Sequence, residues 1–111
     1  MDNVLLNNLV VELRRGTLIL IVLSFLSTQQ YGYLVLDELK NKGIKVEAST
    51  LYPLLRRLEV QGLLNSHWDL TDGRPKRYYV LSDKGKETLR YLKSEWQNLV
   101  LEVEKVMEDS K

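Results

Sequence analysis

In the run Ser49-Thr50-Leu51-Tyr52-Pro53-Leu54-Leu55-Arg56-Arg57-Leu58, leucines at 51, 54, 55 and 58 follow i, i+3, i+4, i+7 spacing and claim one helix face for a core. Ser49, Thr50, Tyr52, Pro53, Arg56 and Arg57 are left pointing away from it, with Tyr52 and Arg56 one turn apart. The chemistry on offer is hydrogen bonding and charge pairing, not bond making. A guanidinium pairs with two acceptors at once, as on the edge of guanine, and threonine or tyrosine meets phosphate or a thymine methyl. On this helix alone, two arginines are as well explained as the solvated face of a surface helix.

A second group shifts that balance. Arg74, Lys76, Arg77 and Tyr78 sit at or beside Asp72-Gly73, a strong turn signal between two short segments rich in β-formers. A rigid positive projection can straddle a phosphate backbone or enter a minor groove. A protein-interaction module that had lost DNA binding would carry a neutral projection, and these cations weigh against that rival. Tyr78 and Tyr79 alternate across the second strand, with Tyr78 expected outward and Tyr79 inward. Catalysis has little to draw on: no cysteine, His67 as the single imidazole, no phosphate-cradling glycine loop and no metal-ligand cluster. Neither an enzyme nor a metal or cofactor is expected.

The elements that must position these groups are legible in outline. Val4 to Leu26 reads as one long helix or two meeting near Gly16, a residue that weakens a helix interior by roughly 1 kcal/mol. Leu34, Val35, Leu36 and Leu39 form a second helical unit closed by Lys40, Lys42 and Gly43. Ser49 or Thr50 is expected to cap the helix that follows, Pro53 fits only near its start, and Gly62 ends it. Leu64 to Leu70 and Lys76 to Leu81 form a two-stranded hairpin, with Trp68 alternating with Leu64 and Leu70 to cover the core, and His67 opposite on the surface. Ser82-Asp83 opens a last helix on which Leu89, Leu92, Trp96, Leu99, Val103 and Val106 keep the 3, 4, 3, 4, 3 spacing of a coiled-coil seam that calls for a partner.

With 111 residues and 44% hydrophobic content, the chain can bury one core of ordinary size. A formal net charge of +1 gives no global pull toward nucleic acid, but the distribution is uneven: the stretch from Ser49 to Leu81 carries Arg56, Arg57, Arg74, Lys76 and Arg77, while the tail after Val100 holds Glu102, Glu104, Glu108 and Asp109. The start Met1-Asp2-Asn3 is acidic where a secretory leader is basic, and the apolar run Leu18 to Leu23 is far too short to span a membrane, so a cytoplasmic protein without membrane contact is expected.

Tyr31-Gly32-Tyr33, the run from Ser49 to Glu59, Gly62-Leu63-Leu64 and Gly73-Arg74-Pro75-Lys76-Arg77-Tyr78-Tyr79 resemble, in order and spacing, the PadR family of phenolic-acid-responsive repressors, in its smaller subfamily with a single short C-terminal helix. The resemblance covers roughly Leu13 to Trp96. It implies a mainly α fold with a small β-hairpin: a winged helix-turn-helix over residues 1–82, then a dimerisation helix over 83–111. It also implies a homodimer that binds a pseudo-palindromic operator in double-stranded DNA, usually represses, and lets go when a small molecule arrives. DNA contact would fall to Ser49, Thr50, Tyr52, Pro53, Arg56, Arg57, Arg74, Lys76, Arg77 and Tyr78, and pairing to the seam. Many relatives carry glycine before the Thr-Leu-Tyr-Pro run where this chain has Ser49, which adds a donor and bulk, so operator preference does not transfer. Trp96, at the seam centre, reads either as dimer core or as a stacking platform for a small aromatic effector.

Overall fold

The computed structural model describes residues 2–110. Met1, from the start read above as lacking a leader, lies outside them, as does Lys111. Two helices, α1 (Asn3–Arg14) and α2 (Leu18–Phe25), are separated by a 3-10 turn over Arg15–Thr17 that contains Gly16. After them come β1 (Gln30–Tyr31), α3 (Gly32–Asn41), α4 (Ala48–Val60), β2 (Leu64–Asp69), β3 (Lys76–Leu81) and α5 (Asp83–Asp109). The fold is mainly helical, with one antiparallel sheet in the order β1-β3-β2. No helix among the described residues is long and apolar enough to cross a membrane.

The core gathers Val22, Leu23 and Leu26 from α2, Val35 and Leu39 from α3, Leu51, Leu54, Leu55 and Leu58 from α4, Leu64, Tyr79 and Leu81 from the sheet, and Leu89 from α5. Burial of each leucine contributes roughly 1.5–3 kcal/mol. Together the four on α4 outweigh the roughly 3 kcal/mol that a proline costs inside a helix, which is why Pro53 is accommodated within α4.

The helix also begins earlier than its hydroxyls suggest. Glu47, not Ser49 or Thr50, is the N-cap residue, and its carbonyl accepts from the amides of Thr50 and Leu51, each at 2.9 Å. Ser49 and Thr50 are thereby freed as exposed residues of the first turn. The other end closes as foreseen: Gly62, at φ 82°, lets the Leu63 amide reach the Leu58 carbonyl and its own amide reach Glu59, each at 2.9 Å.

Two expectations about the sheet are corrected. β1 adds a third strand, registering Gln30 with Tyr79 and Tyr31 with Tyr78; two residues carry no period for a sequence to show. Trp68 does not cover the core. It lies on the core-side face, but the hairpin projects past the helices beneath it, so Leu64 is buried while Trp68 stays 57% exposed. Leu70 falls outside β2 altogether and is exposed.

The base of the hairpin is where α4 and α5 meet. Ser82 Oγ accepts from the Gly85 amide at 2.9 Å, capping α5, and donates to the Gly62 carbonyl at 2.6 Å. The Ser82 amide donates to the Leu63 carbonyl at 3.0 Å. A Cβ on Gly85 would stand 2.0 Å from that same carbonyl oxygen.

Beyond this junction the chain is extended, measuring 59 × 34 × 22 Å. Its radius of gyration of 16.7 Å exceeds the value of about 13 Å expected for a compact chain of this length. The excess comes from α1, which buries no residue, and from the distal part of α5, where Trp96, Leu99, Val103 and Val106 are all exposed. The seam is therefore not uniform: Leu89 belongs to the protomer's own core and Leu92 packs on it, which removes Leu89 from the expected dimer contacts.

Gly85→Ala should lower the unfolding free energy by about 2 kcal/mol or more, since the neighbour it strikes is backbone and cannot swing aside. Gly16→Ala, which meets nothing within 4 Å, should be neutral or mildly stabilising. Urea denaturation checks both, and an unchanged midpoint for Gly85→Ala would contradict the close docking of α5.

Candidate nucleic-acid interface

Because the leucine face fixes the rotation of α4, its remaining positions form a surface. Ser49, Thr50, Pro53, Arg56 and Arg57 are exposed, whereas Tyr52 is half-buried, its ring packed on the core edge. The expectation that Thr50, Tyr52 and Arg56 all stand outward holds for two of them; Tyr52 keeps only part of its ring in reach of a partner. Arg56, Arg57 and Arg74 form no ion pair among the described residues, so their charge is open to an outside anion.

Arg77 is differently disposed. Its Nη2 donates to Glu59 Oε1 at 2.8 Å and its Nε to Ser66 Oγ at 3.1 Å, while Ser66 Oγ donates in turn to the other oxygen of Glu59. The cycle ties β2 and β3 to the C-terminal half of α4, and Arg77 also lies over the rings of Trp68 and Tyr79, at 5.4 and 5.5 Å. Its charge is met inside the chain, so it sets the angle between wing and helix. Nothing local in the sequence links Glu59 to Arg77, which makes the pair invisible before folding.

The outer face of the sheet holds a row of rings. Tyr31 stacks on Tyr78 at 4.0 Å and on Tyr33 at 5.4 Å, and His67 lies 5.0 Å from Tyr78. Tyr78 does face outward, as its alternation with buried Tyr79 requires, but its hydroxyl is occupied in donating to Tyr31, which donates to Asp69 Oδ2 at 2.9 Å. The hydrogen bond with Tyr78, loss of water and the Asp69 carboxylate all hold the Tyr31 phenol protonated, well above its ordinary value.

Asp69 is held below the usual carboxylate range, chiefly by the hydroxyl and amide of Thr71 and then by Tyr31, so its part in the turn is present at neutral pH and lost only as acid titrates through the lowered value. Lys76 is raised, first by its hydrogen bond to Asp72 at 3.2 Å, and therefore stays charged at neutral pH. Burial pushes the Tyr79 phenol up.

Between α4 and the wing lies an open cleft of about 270 Å³. Tyr52 and Arg56 line it from α4, Trp68, Lys76 and Arg77 from the hairpin, and Tyr33 from the start of α3. Of these, Tyr33 and Trp68 carry no site role in the sequence reading. The signal that could have marked Trp68 is its distance along the strand from the core's last leucine. No group of acids and His67 that could hold a metal ion occurs among the described residues.

Comparison with known proteins agrees with this architecture. The model of the transcriptional regulator PadR-like family matches residues 22–91. A PadR family transcriptional regulator of Eggerthella lenta, known from its crystal structure, is 46% identical with a TM-score of 0.89, over 94% of this chain and 93% of that one. A PadR-like transcriptional regulator of Bacillus cereus superposes with a TM-score of 0.76 at 26% identity, over 86% of this chain and 96% of the other. A transcriptional regulator of Mycobacterium tuberculosis is 37% identical over 73 residues, 66% of this chain and 68% of its own.

The Glu59–Arg77 pair is partly screened by water, so a double-mutant cycle of Glu59→Ala and Arg77→Ala should return a coupling of about 1 kcal/mol. Coupling indistinguishable from zero in chemical denaturation would show that the wing is held by other contacts.

Proposed function

The chain belongs to the PadR-like family of transcriptional regulators, which are not enzymes, and on that premise we propose that it is a ligand-responsive repressor that binds a pseudo-palindromic DNA operator as a homodimer. The observation that carries the DNA reading is the unpaired cationic edge of α4, Arg56 and Arg57 beside Ser49, Thr50 and Pro53, set next to a wing that carries Arg74 and Lys76. On this reading α4 enters the major groove with its N-terminal half. Arg56 and Thr50 meet base edges, and Tyr52 contributes the free part of its ring. Arg74, Lys76 and Arg57 meet phosphates, while Arg77 and Tyr78, both engaged within the chain, act by holding the wing in place.

Pairing is supported by what a single protomer leaves uncovered. Leu5, Leu6, Leu9 and Val10 of α1 and Trp96, Leu99, Val103 and Val106 of α5 are exposed on helices that project from the core, a large apolar surface for a lone chain. A symmetric partner would cover them and set two copies of α4 apart at roughly one helical turn of DNA, about 34 Å. In this scheme residues 1–82 read DNA and 83–111 hold the two readers at a fixed spacing. An effector stacked near Trp96 would release DNA by favouring another spacing, since a ligand shifts only the equilibrium whose two states it distinguishes. Soluble action on DNA fits a cytoplasmic location.

Binding to a duplex from the promoter beside its own gene, followed by fluorescence anisotropy, should weaken steeply with salt. Arg56→Ala should cost about 1–3 kcal/mol on the operator, whereas Arg74→Ala should weaken all duplexes alike and lower the salt slope by about one. Salt-independent binding would refute the reading. Sedimentation should show a dimer that Leu99→Glu/Val103→Glu dissociates, and a monomeric parent protein at micromolar concentration would remove the two-headed mechanism.

A further inference from the structure

Trp68 alternates into the same sheet face as Leu64 and Tyr79, so the strand pattern sends it indoors, yet the ring is 57% exposed. Its orientation is nevertheless fixed. Arg77, its register partner on β3, lies over the ring at 5.4 Å and is itself held by Glu59 and Ser66. The uncovered remainder of the indole forms an apolar wall of the cleft between α4 and the wing. Across from it on α4 stands Arg56, and Lys76 lines the cleft from the same hairpin; among the described residues Arg56 has no acidic partner and Lys76 pairs only with the exposed Asp72. The cleft thus joins a rigid apolar wall to net positive charge.

We infer that this cleft takes a stretch of the sugar–phosphate backbone of duplex DNA, with the Trp68 indole against a deoxyribose, Lys76 toward an adjoining phosphate, and Arg56 passing along the α4 side of the cleft to its base edge. The inference rests on the DNA-binding reading and adds to it a residue whose strand position assigns it to the core. The chemistry selects the occupant. A free anion would use the cations and leave the indole idle, and a neutral apolar molecule would strand the charges, whereas the nucleic-acid backbone alternates anionic phosphate with a C–H-rich sugar on the scale of neighbouring side chains. Contact with sugar carries no base identity, so Trp68 contributes affinity to every sequence equally.

The chain has two tryptophans, so Trp96→Phe leaves Trp68 as the sole indole reporter. In that protein, Trp68 emission should change and its quenching by acrylamide should fall as a duplex is added, saturating together with the anisotropy of the labelled DNA. In the otherwise unaltered chain, Trp68→Ala should weaken promoter and unrelated duplexes alike by about tenfold, with the melting temperature and the salt slope retained, and Trp68→Phe should keep most of the affinity. Duplex binding that leaves Trp68 emission and quenching unchanged, or a response to single strands only, overturns the inference while the DNA reading stands. So does a Trp68→Ala protein that binds duplex as tightly as its parent. Failure of the parent protein to bind any duplex at low salt removes both together.

Discussion

Burial of Leu51, Leu54, Leu55 and Leu58 fixes the rotation of α4 about its axis, and with that one degree of freedom settled the outward positions are settled too. A helix turned by one residue, 100° around its axis, would bury Thr50 or Arg56 and expose a leucine, exchanging roughly 1.5–3 kcal/mol of burial for an unpaired polar group indoors. The same leucine packing tolerates Pro53 within the helix, which leaves the Ser49 carbonyl without its usual amide partner on the side facing solvent.

From α4 the order propagates through its C-terminal turn. Gly62 ends the helix in a left-handed conformation, Leu63 turns the chain into β2, and the carbonyls of Gly62 and Leu63 receive Ser82 at the far end of the hairpin. The start of α5 is thereby seated on the end of α4, with Gly85 allowing contact closer than any side chain would permit. The wing leaves from this junction at one end and the long helix at the other. Glu59, one turn before Gly62, adds the Arg77 clamp that keeps the projecting hairpin at a set angle. A surface assembled from two elements needs such a clamp, because the wing alone has too little core beneath it.

Two helical surfaces remain whose apolar residues the protomer does not cover: all of α1 and the distal part of α5. In water this exposure is unfavourable. On the homodimer reading proposed above, a second chain covers it, stability and assembly are one equilibrium, and a ligand that alters the fit between the copies acts on the spacing of the reading heads without touching them. The acidic residues Glu102, Glu104, Glu108 and Asp109 gather at the far end of α5, outside the segment that carries Arg56, Arg57, Arg74 and Lys76.

The sequence by itself determined the helices with strong 3.6-residue periods, the glycine stop at Gly62, the Ser82 cap, the hairpin around Asp72-Gly73 and the outward set on α4, because each is a local preference carried within a turn or two of chain. The true start of α4 at Glu47 was less legible, since two hydroxyls offered better caps than the residue that became one. Only the tertiary structure decided what depends on distant parts meeting. That includes the pairing of β1 with β3, the Glu59–Arg77 clamp across 18 positions, the half-burial of Tyr52, the assignment of Leu89 to the protomer's own core, and the exposure of Trp68. Strand alternation gives the face a side chain shares; how far the core extends beneath that face is set by packing between elements, which no local pattern records.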